Sequence, residues 1–277
     1  MPKKKEIDEN EVVRLYTEEK WRTKDIALHF NVSTYTIRDR LHKNSVELRT
    51  SSELNRQHHF NEEYFDIIDT KEKAYILGLL CADGWVAKGG NRGASPNLVG
   101  FAFQKRDEEL IKFIIKELDS DKEIKYVKNN AQVVFHSIKM VGKLVEYGIV
   151  PNKSLTLNIK DVAEKAKISD ELIPSFLLGY FDGDGCIAYS QNRKYKNTIL
   201  WLCHFVGTLE TCQFLLDYFG IGFLIDEKSL NGKTYRYQAG GVNKVYEVLS
   251  ALYEQHNSFC LSRKYEKFLV LKSRLKQ

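Results

Sequence analysis

Two aspartates stand out by type and spacing. Asp83 and Asp184 each close an apolar run and each precede a glycine, in Ala74-Tyr-Ile-Leu-Gly-Leu-Leu-Cys-Ala-Asp-Gly84 and Ser175-Phe-Leu-Leu-Gly-Tyr-Phe-Asp-Gly-Asp-Gly185. The runs align at a constant offset of 101. Within them small residues recur every fourth position: Ala74, Gly78 and Ala82 in one, Ser175, Gly179 and Gly183 in the other. That spacing lays the small residues along one face of a helix, where two backbones can approach closely. Helices packed along these stripes bring Asp83 and Asp184 side by side at one end. The last helical carbonyls, with those of Ala82 and Gly183 as candidates, and the negative pole of each helix dipole lie there too. Two carboxylates with free carbonyls form a hard-oxygen site suited to Mg²⁺, with Mn²⁺ as a substitute. Such a site can activate water and stabilise a leaving oxygen in phosphodiester cleavage. One copy alone is equally well the end of a buried helix; two in register favour the chemical reading. Gly84 and Gly185 stand where each helix ends and the chain must turn.

The rest of the chain must position this pair. Its 277 residues suffice for two modest domains or one large one. The hydrophobic share of 43% supplies a core, and the four prolines argue against long disordered stretches. No apolar run approaches the length of a membrane span, and the Met-Pro-Lys-Lys-Lys-Glu start has no apolar segment behind it, so neither a membrane protein nor a secretory signal is expected. Five cysteines without a CxxC pair suggest a reduced, intracellular, cytoplasmic protein without a disulfide frame or zinc site. His58 and His59 read as ordinary linker residues.

Residues 8–50 predict three short helices. The first runs from Glu9 to Glu19 and the second from Lys24 to Phe30, capped by Thr23. Asn31-Val32-Ser33 makes a tight turn, and the third helix points Ile37 and Leu41 inward and Arg38, Arg40, His42 and Lys43 outward. The pattern resembles a helix-turn-helix DNA-binding module, with Thr34, Tyr35, Thr36, Arg38 and Arg40 as candidate DNA contacts on the third helix. A plain packing bundle is the alternative. Residues 51–70 read as a polar linker that ends by docking on the next domain.

The duplicated runs resemble the LAGLIDADG motif of homing endonucleases. The resemblance implies that the last acid of each copy, Asp83 and Asp184, is a metal ligand. The earlier acidic position is Asp182 in the second copy but Cys81 in the first. The family fold implies an α+β architecture: a pseudo-twofold pair of half-domains, residues 71–160 and 161–277, forming a saddle of antiparallel strands behind the helical domain of residues 1–50. Expected strands lie near 85–87, 98–104, 123–128 and 132–136, and again near 186–189, 198–206, 223–227 and 233–239. The resemblance also implies a Gln near the metals, matched by Gln104 with Gly207 opposite it, and a lysine near each active site, matched by Lys153 and Lys264, with Arg263 as an alternative to the latter. It further implies a monomer that cuts double-stranded DNA at a long asymmetric site.

Charge distribution agrees. Residues 85–104, 122–140, 186–208 and 228–246, which hold the expected strand pairs, carry 13 basic side chains and one acidic, in a chain of net charge +5. A basic sheet surface on an acidic body has the sign that a phosphate backbone requires. Candidate DNA contacts are Lys88, Arg92, Asn97, Lys125 and Lys128 in the first half, and Gln191, Arg193, Lys194, Lys196, Lys233, Arg236 and Gln238 in the second. Alternation sends either Tyr235 and Tyr237 or Arg236 and Gln238 to the DNA side, and sequence does not decide between them. A rival nuclease reading joins Asp107 to Glu123 and Lys125 in a PD-(D/E)xK-like spacing. Another alternative is a non-cleaving DNA-binding regulator or RNA splicing cofactor on the same fold.

Overall fold

The computed structural model of the chain describes residues 7–49, 58–87, 97–191, 199–229, 232–254 and 259–275. Two compact units are present, residues 1–58 and 59–277.

The first unit holds α1 (Glu9–Thr17), α2 (Thr23–His29) and α3 (Thr34–Lys43) around Val12, Leu15, Ile26, Ile37 and Leu41. Asp8 and Ser33 cap α1 and α3 through their side chains. Thr23, expected as the cap of α2, is its first residue; Arg22 holds the cap position without a side-chain bond. The α2–α3 turn closes where the Val32 amide donates to the Ala27 carbonyl at 2.9 Å, with Asn31 in the left-handed region at φ 50°. Arg40 does not face outward as expected: its guanidinium pairs with Glu9 of α1 at 2.5 Å. Thr34, Tyr35 and Arg38 do face solvent, while Thr36 is half-buried with its hydroxyl 2.9 Å from that of Ser33.

The second unit repeats one pattern. Its first half runs α4 (Lys71–Ala82), β1 (Gly84–Ala87), β2 (Leu98–Gln104), α5 (Glu108–Glu117), β3 (Lys125–Val127), β4 (Asn130–His136) and α6 (Ile138–Glu146). A connecting helix, α7 (Ile159–Lys165), leads to α8 (Ile173–Asp184), β5 (Gly185–Gln191), β6 (Ile199–Gly207), α9 (Leu209–Phe219), β7 (Phe223–Ser229), β8 (Gly232–Gly240), α10 (Val242–Tyr253) and α11 (Ser262–Arg274). Each half forms a four-stranded antiparallel sheet, ordered β1-β2-β4-β3 and β5-β6-β8-β7. The expected α+β pair of half-domains is therefore what the chain forms. Residues 59–70 are part of this unit: Phe60, Tyr64, Phe65 and Ile68 are buried in its core. Among the described residues no helix is long and apolar enough to cross a membrane.

Both central helices are apolar nearly all round, because α4 and α8 lie between the two halves and are covered on every side. The remaining helices cover one face of each sheet, and strand alternation leaves the other face open. In β8, Tyr237 is buried and its hydroxyl donates to the Ile221 carbonyl at 2.9 Å, which puts Arg236 and Gln238 on the open face.

Candidate functional site

The α4–α8 contact fixes the site. A Cβ built on Gly78 would stand 2.0 Å from the Phe176 carbonyl oxygen, and one on Gly179 would stand 2.0 Å from that of Tyr75. The helices thus cross backbone to backbone, which only glycine permits. One turn further, a Cβ on Gly183 would meet the Ala82 Cβ at 2.3 Å and Oδ2 of Asp83 at 3.4 Å. The small stripes meet as their spacing predicts, and Asp83 and Asp184 arrive together. Gly84 and Gly185 begin the following strands, and they are needed for close approach rather than for unusual backbone angles. A Cβ on Gly84 would lie 2.6 Å from Leu80 Cα, and one on Gly185 would lie 2.0 Å from the Phe181 ring.

Two lysines bind the carbonyls at this end. Lys153 donates to the carbonyls of Ala82 at 3.0 Å and Gly84 at 2.7 Å. Lys264 donates to those of Phe181 at 2.5 Å, Asp182 at 2.9 Å and Gly185 at 2.6 Å. Both side chains are buried. Each neutralises the carbonyl pole of one central helix, which explains how a buried ammonium is tolerated. Lys153 reaches its place from a single 3₁₀ turn, Lys153–Leu155, after Asn152 in the left-handed region; Lys264 reaches it from the first turn of α11.

Both carboxylates are shifted toward protonation. Burial, then the charge of Asp83, pushes Asp184 up to about 6, against the pull of Lys153 and Lys264. Burial also raises Asp83, opposed first by Lys264 and then by Lys153. The electrostatic arrangement is crossed: Asp83 feels the lysine of the second half more strongly, and Asp184 that of the first. Burial brings Lys264 down to about 8, partly restored by Asp182, and lowers Lys153 as well.

Asp83, Asp184 and Lys153 line a cleft of about 630 Å³ together with Trp85, Thr208 and Thr234. Among the described residues no group of three or more His, Cys, Asp or Glu side chains is placed to hold a metal ion. Two carboxylates nonetheless fit Mg²⁺, which keeps several waters and takes substrate phosphate oxygens as its remaining ligands. The Ala82 carbonyl, a candidate ligand, already accepts from Lys153 with one of its lone pairs.

Other expectations need correction. Gln104 is exposed, pairs with Asn130, and does not line the cleft. Its counterpart is not Gly207: Gly84 pairs with Phe101 and Gly185 with Phe205, so three residues further on Gln104 corresponds to Thr208. Thr208 lines the cleft, but its hydroxyl donates to the Leu157 carbonyl at 2.6 Å. Arg263 does not take the place of Lys264; it forms a bidentate pair with Asp107, with contacts of 3.1 to 3.3 Å. That pairing also removes Asp107 from the rival nuclease constellation, whose Glu123 and Lys125 stay exposed near and on β3.

Of the candidate DNA contacts, Lys125 and Lys128 are exposed on β3 and its turn, and Gln191 is exposed at the end of β5. Asn97 is half-buried, its carbonyl accepting from the Ser137 amide at 3.2 Å. Arg236 is held by Glu227 at 2.7 Å on the open face of the second sheet. Lys88, Arg92, Arg193, Lys194 and Lys196 lie outside the described residues, as does the side chain of Lys233. Sequence reasoning missed the row that crosses the second open face: Cys186 pairs with His204, and His204 with Gln238. Alternation from the buried Phe205 would have placed His204 there. In the first sheet the corresponding row is Trp85, Gly100 and Val134, where the Trp85 ring packs on Gly100, whose Cβ would meet it at 2.3 Å.

Residues 171–268 match the family model described as a LAGLIDADG-like domain. No curated protein matches the chain by sequence. Among solved structures, the fold is similar to that of the I-LtrWI LAGLIDADG homing endonuclease bound to target DNA, with 14% identity, 78% of this chain and 92% of that one covered, and a TM-score of 0.53. It is also similar to the LAGLIDADG meganuclease I-AabMI bound to uncleaved DNA, with 15% identity, 73% and 90% covered, and a TM-score of 0.54. At these identities the likeness is one of fold.

Proposed function

We propose that this chain is a site-specific, metal-dependent endonuclease of the LAGLIDADG homing type, which makes a double-strand break in one long asymmetric DNA target. The observation that carries this reading is the convergence of Asp83 and Asp184 at the paired ends of α4 and α8, each end backed by a buried lysine. Asp83 and Asp184 would hold the divalent cation. When bound, it supplies positive charge to the scissile phosphates and makes water a better nucleophile at neutral pH.

The chain's own residues do the rest. Asp83 and Asp184, both shifted toward protonation, would be favoured in their charged form by a bound cation. Lys153 uses two of its three donors on carbonyls, so one N–H remains for a phosphate oxygen or a water in the cleft. Lys264 spends all three on carbonyls and acts by charge. The open sheet faces would follow the major groove, with Arg236, Gln238 and His204 reading bases on one side and Trp85 presenting an apolar surface on the other. Their dissimilarity supports an asymmetric target. The helical unit extends the contact through Tyr35 and Arg38 of α3.

Incubation with a library of random duplexes in Mg²⁺, followed by sequencing of cut ends, tests the reading. Cuts clustered at one long site support it. Specific capture of a site without cuts, in Mg²⁺ or Mn²⁺, replaces it with a DNA-binding regulator, the reading that the helical unit would then favour.

A further inference from the structure

The two halves differ where α4 and α8 cross. Tyr75 on α4 donates to Oδ2 of Asp182 on α8 at 2.7 Å. At the offset of 101 the counterparts are Phe176 and Cys81, both buried and without such a bond. A polar pair on one side of the pseudo-twofold is an apolar pair on the other.

The same Oδ2 accepts the Leu261 amide at 2.7 Å. Leu261 is the cap residue of α11, an end that receives no side-chain cap of its own, and the first turn of that helix carries Lys264. Asp182 is thus a cap supplied from another helix, tying α4, α8 and the start of α11 at one buried point. Its Oδ1 has no hydrogen-bond partner among the described residues, so the whole polar attachment runs through one oxygen. Among the described residues Lys153 has nothing comparable. Its turn follows Asn152, and the residue in place of Asp182 is the Cys81 thiol.

We propose that Asp182 is a positioning residue. Through the Leu261 amide it seats the start of α11 and so fixes Lys264 over the α8 carbonyls, a control built into one half-domain only. One catalytic consequence rests on the nuclease reading: loss of this cap slows cleavage of the strand served by Lys264 and spares the strand served by Lys153. The placement of Lys264 itself can be tested without DNA.

Reductive methylation of the full-length protein, read by peptide mass spectrometry, measures the access of each lysine ammonium. Asp182→Ala removes the acceptor. Leu261→Pro removes the donor and leaves Asp182 in place, and Leu261 already has a φ of −70° that proline adopts. Both variants should label Lys264 at least about tenfold faster than wild type, as loss of a hydrogen bond to a charged group implies. Lys153 should stay at its wild-type rate in both. Asp182→Asn keeps an oxygen for both donors and should return Lys264 to within about threefold of wild type. The proposal is overturned by a protected Lys264 in Leu261→Pro, or by Lys153 and Lys264 loosening together, which would make Asp182 a general core residue. These outcomes hold whether or not the protein cuts DNA, and failure to cut bears only on the nuclease reading. On a cleaved target, strand-resolved nicking should show one strand slowed in Asp182→Ala and restored in Asp182→Asn; equal slowing of both strands also overturns the proposal.

Discussion

Gly78 meets the Phe176 carbonyl so closely that a Cβ there would stand 2.0 Å away, and Gly179 stands in the same relation to Tyr75. The obstacles are backbone atoms, which cannot rotate aside. Gly78→Ala and Gly179→Ala should each destabilise the protein by about 3 kcal/mol, at the upper end for overpacked cores. Urea unfolding monitored by circular dichroism measures this. A shift within about 0.5 kcal/mol would mean that the helices do not cross at these glycines.

The pH dependence follows from opposite shifts. Asp184 is pushed up to about 6 by burial and by Asp83, and Lys264 is brought down to about 8 by burial. Cleavage should rise as pH passes about 6 and decline beyond about 8. Raising Mg²⁺ favours the carboxylate form and should move the acid limb lower without moving the alkaline limb. Rates that stay flat on both sides would contradict this assignment.

Stability has the reverse sign on the acid side. Asp184 binds its proton more tightly folded than unfolded, so its contribution is present below 3.8 and lost as pH rises through about 6. In chelator at neutral pH, Asp184→Asn should therefore stabilise the protein. The gain should be about 1 kcal/mol, because Asp184, crowded by protein on its helix side, keeps a face open to the cleft where solvent screens its charge. Thermal melts with and without Mg²⁺ check it: the cation should raise the Tm of wild type more than that of the variant.

Arg263 and Asp107 hold α11 to the N-terminus of α5 through a bidentate pair in which Asp107 is buried. Arg263→Ala leaves that carboxylate only Arg106, 4.0 Å away, and should cost about 2 kcal/mol, the worth of a hydrogen-bonded charge pair. A double-mutant cycle with Asp107→Ala should give a coupling above about 1 kcal/mol. Cleavage by Arg263→Ala, measured below its melting range, should fall less than that of Lys264→Met; the opposite order would assign Arg263 to the chemistry.

On the open face of the second sheet, Glu227 holds Arg236 beside His204 and Gln238. Exchange of Arg236 or Gln238 should alter base preference at a few neighbouring positions in one half of the target, with a discrimination loss of about 1–3 kcal/mol for a lost bidentate contact. Profiling of cleaved single-base variants tests this, and uniform weakening across the target would make these residues phosphate contacts instead.

The site was legible where the chain repeats itself. Gly78, Asp83 and their partners at the offset of 101 lie on helices of equal length, so spacing alone carried the carboxylates to one end. Legibility failed where the halves diverge. Gly185 pairs with Phe205, three positions beyond the offset of 101, so the second hairpin is the longer one and the counterpart of Gln104 is Thr208, not Gly207. Arg40 looked exposed by helical periodicity, but Glu9, 31 residues earlier, draws it inward. The cap that Asp182 supplies to Leu261 spans 79 residues, and Tyr75 lies 107 away. No local pattern records such contacts, because they exist only once the helices have packed.

The most direct measurement compares wild type, Asp83→Asn and Asp184→Asn on the selected duplex, reading Mg²⁺-dependent cleavage and DNA binding in parallel. The account predicts a cut by wild type alone and duplex binding by all three, with each variant slowed by on the order of a thousandfold or more, as loss of a metal-holding group implies. Cleavage by both variants at rates near wild type would contradict it and place the chemistry elsewhere than at the ends of α4 and α8.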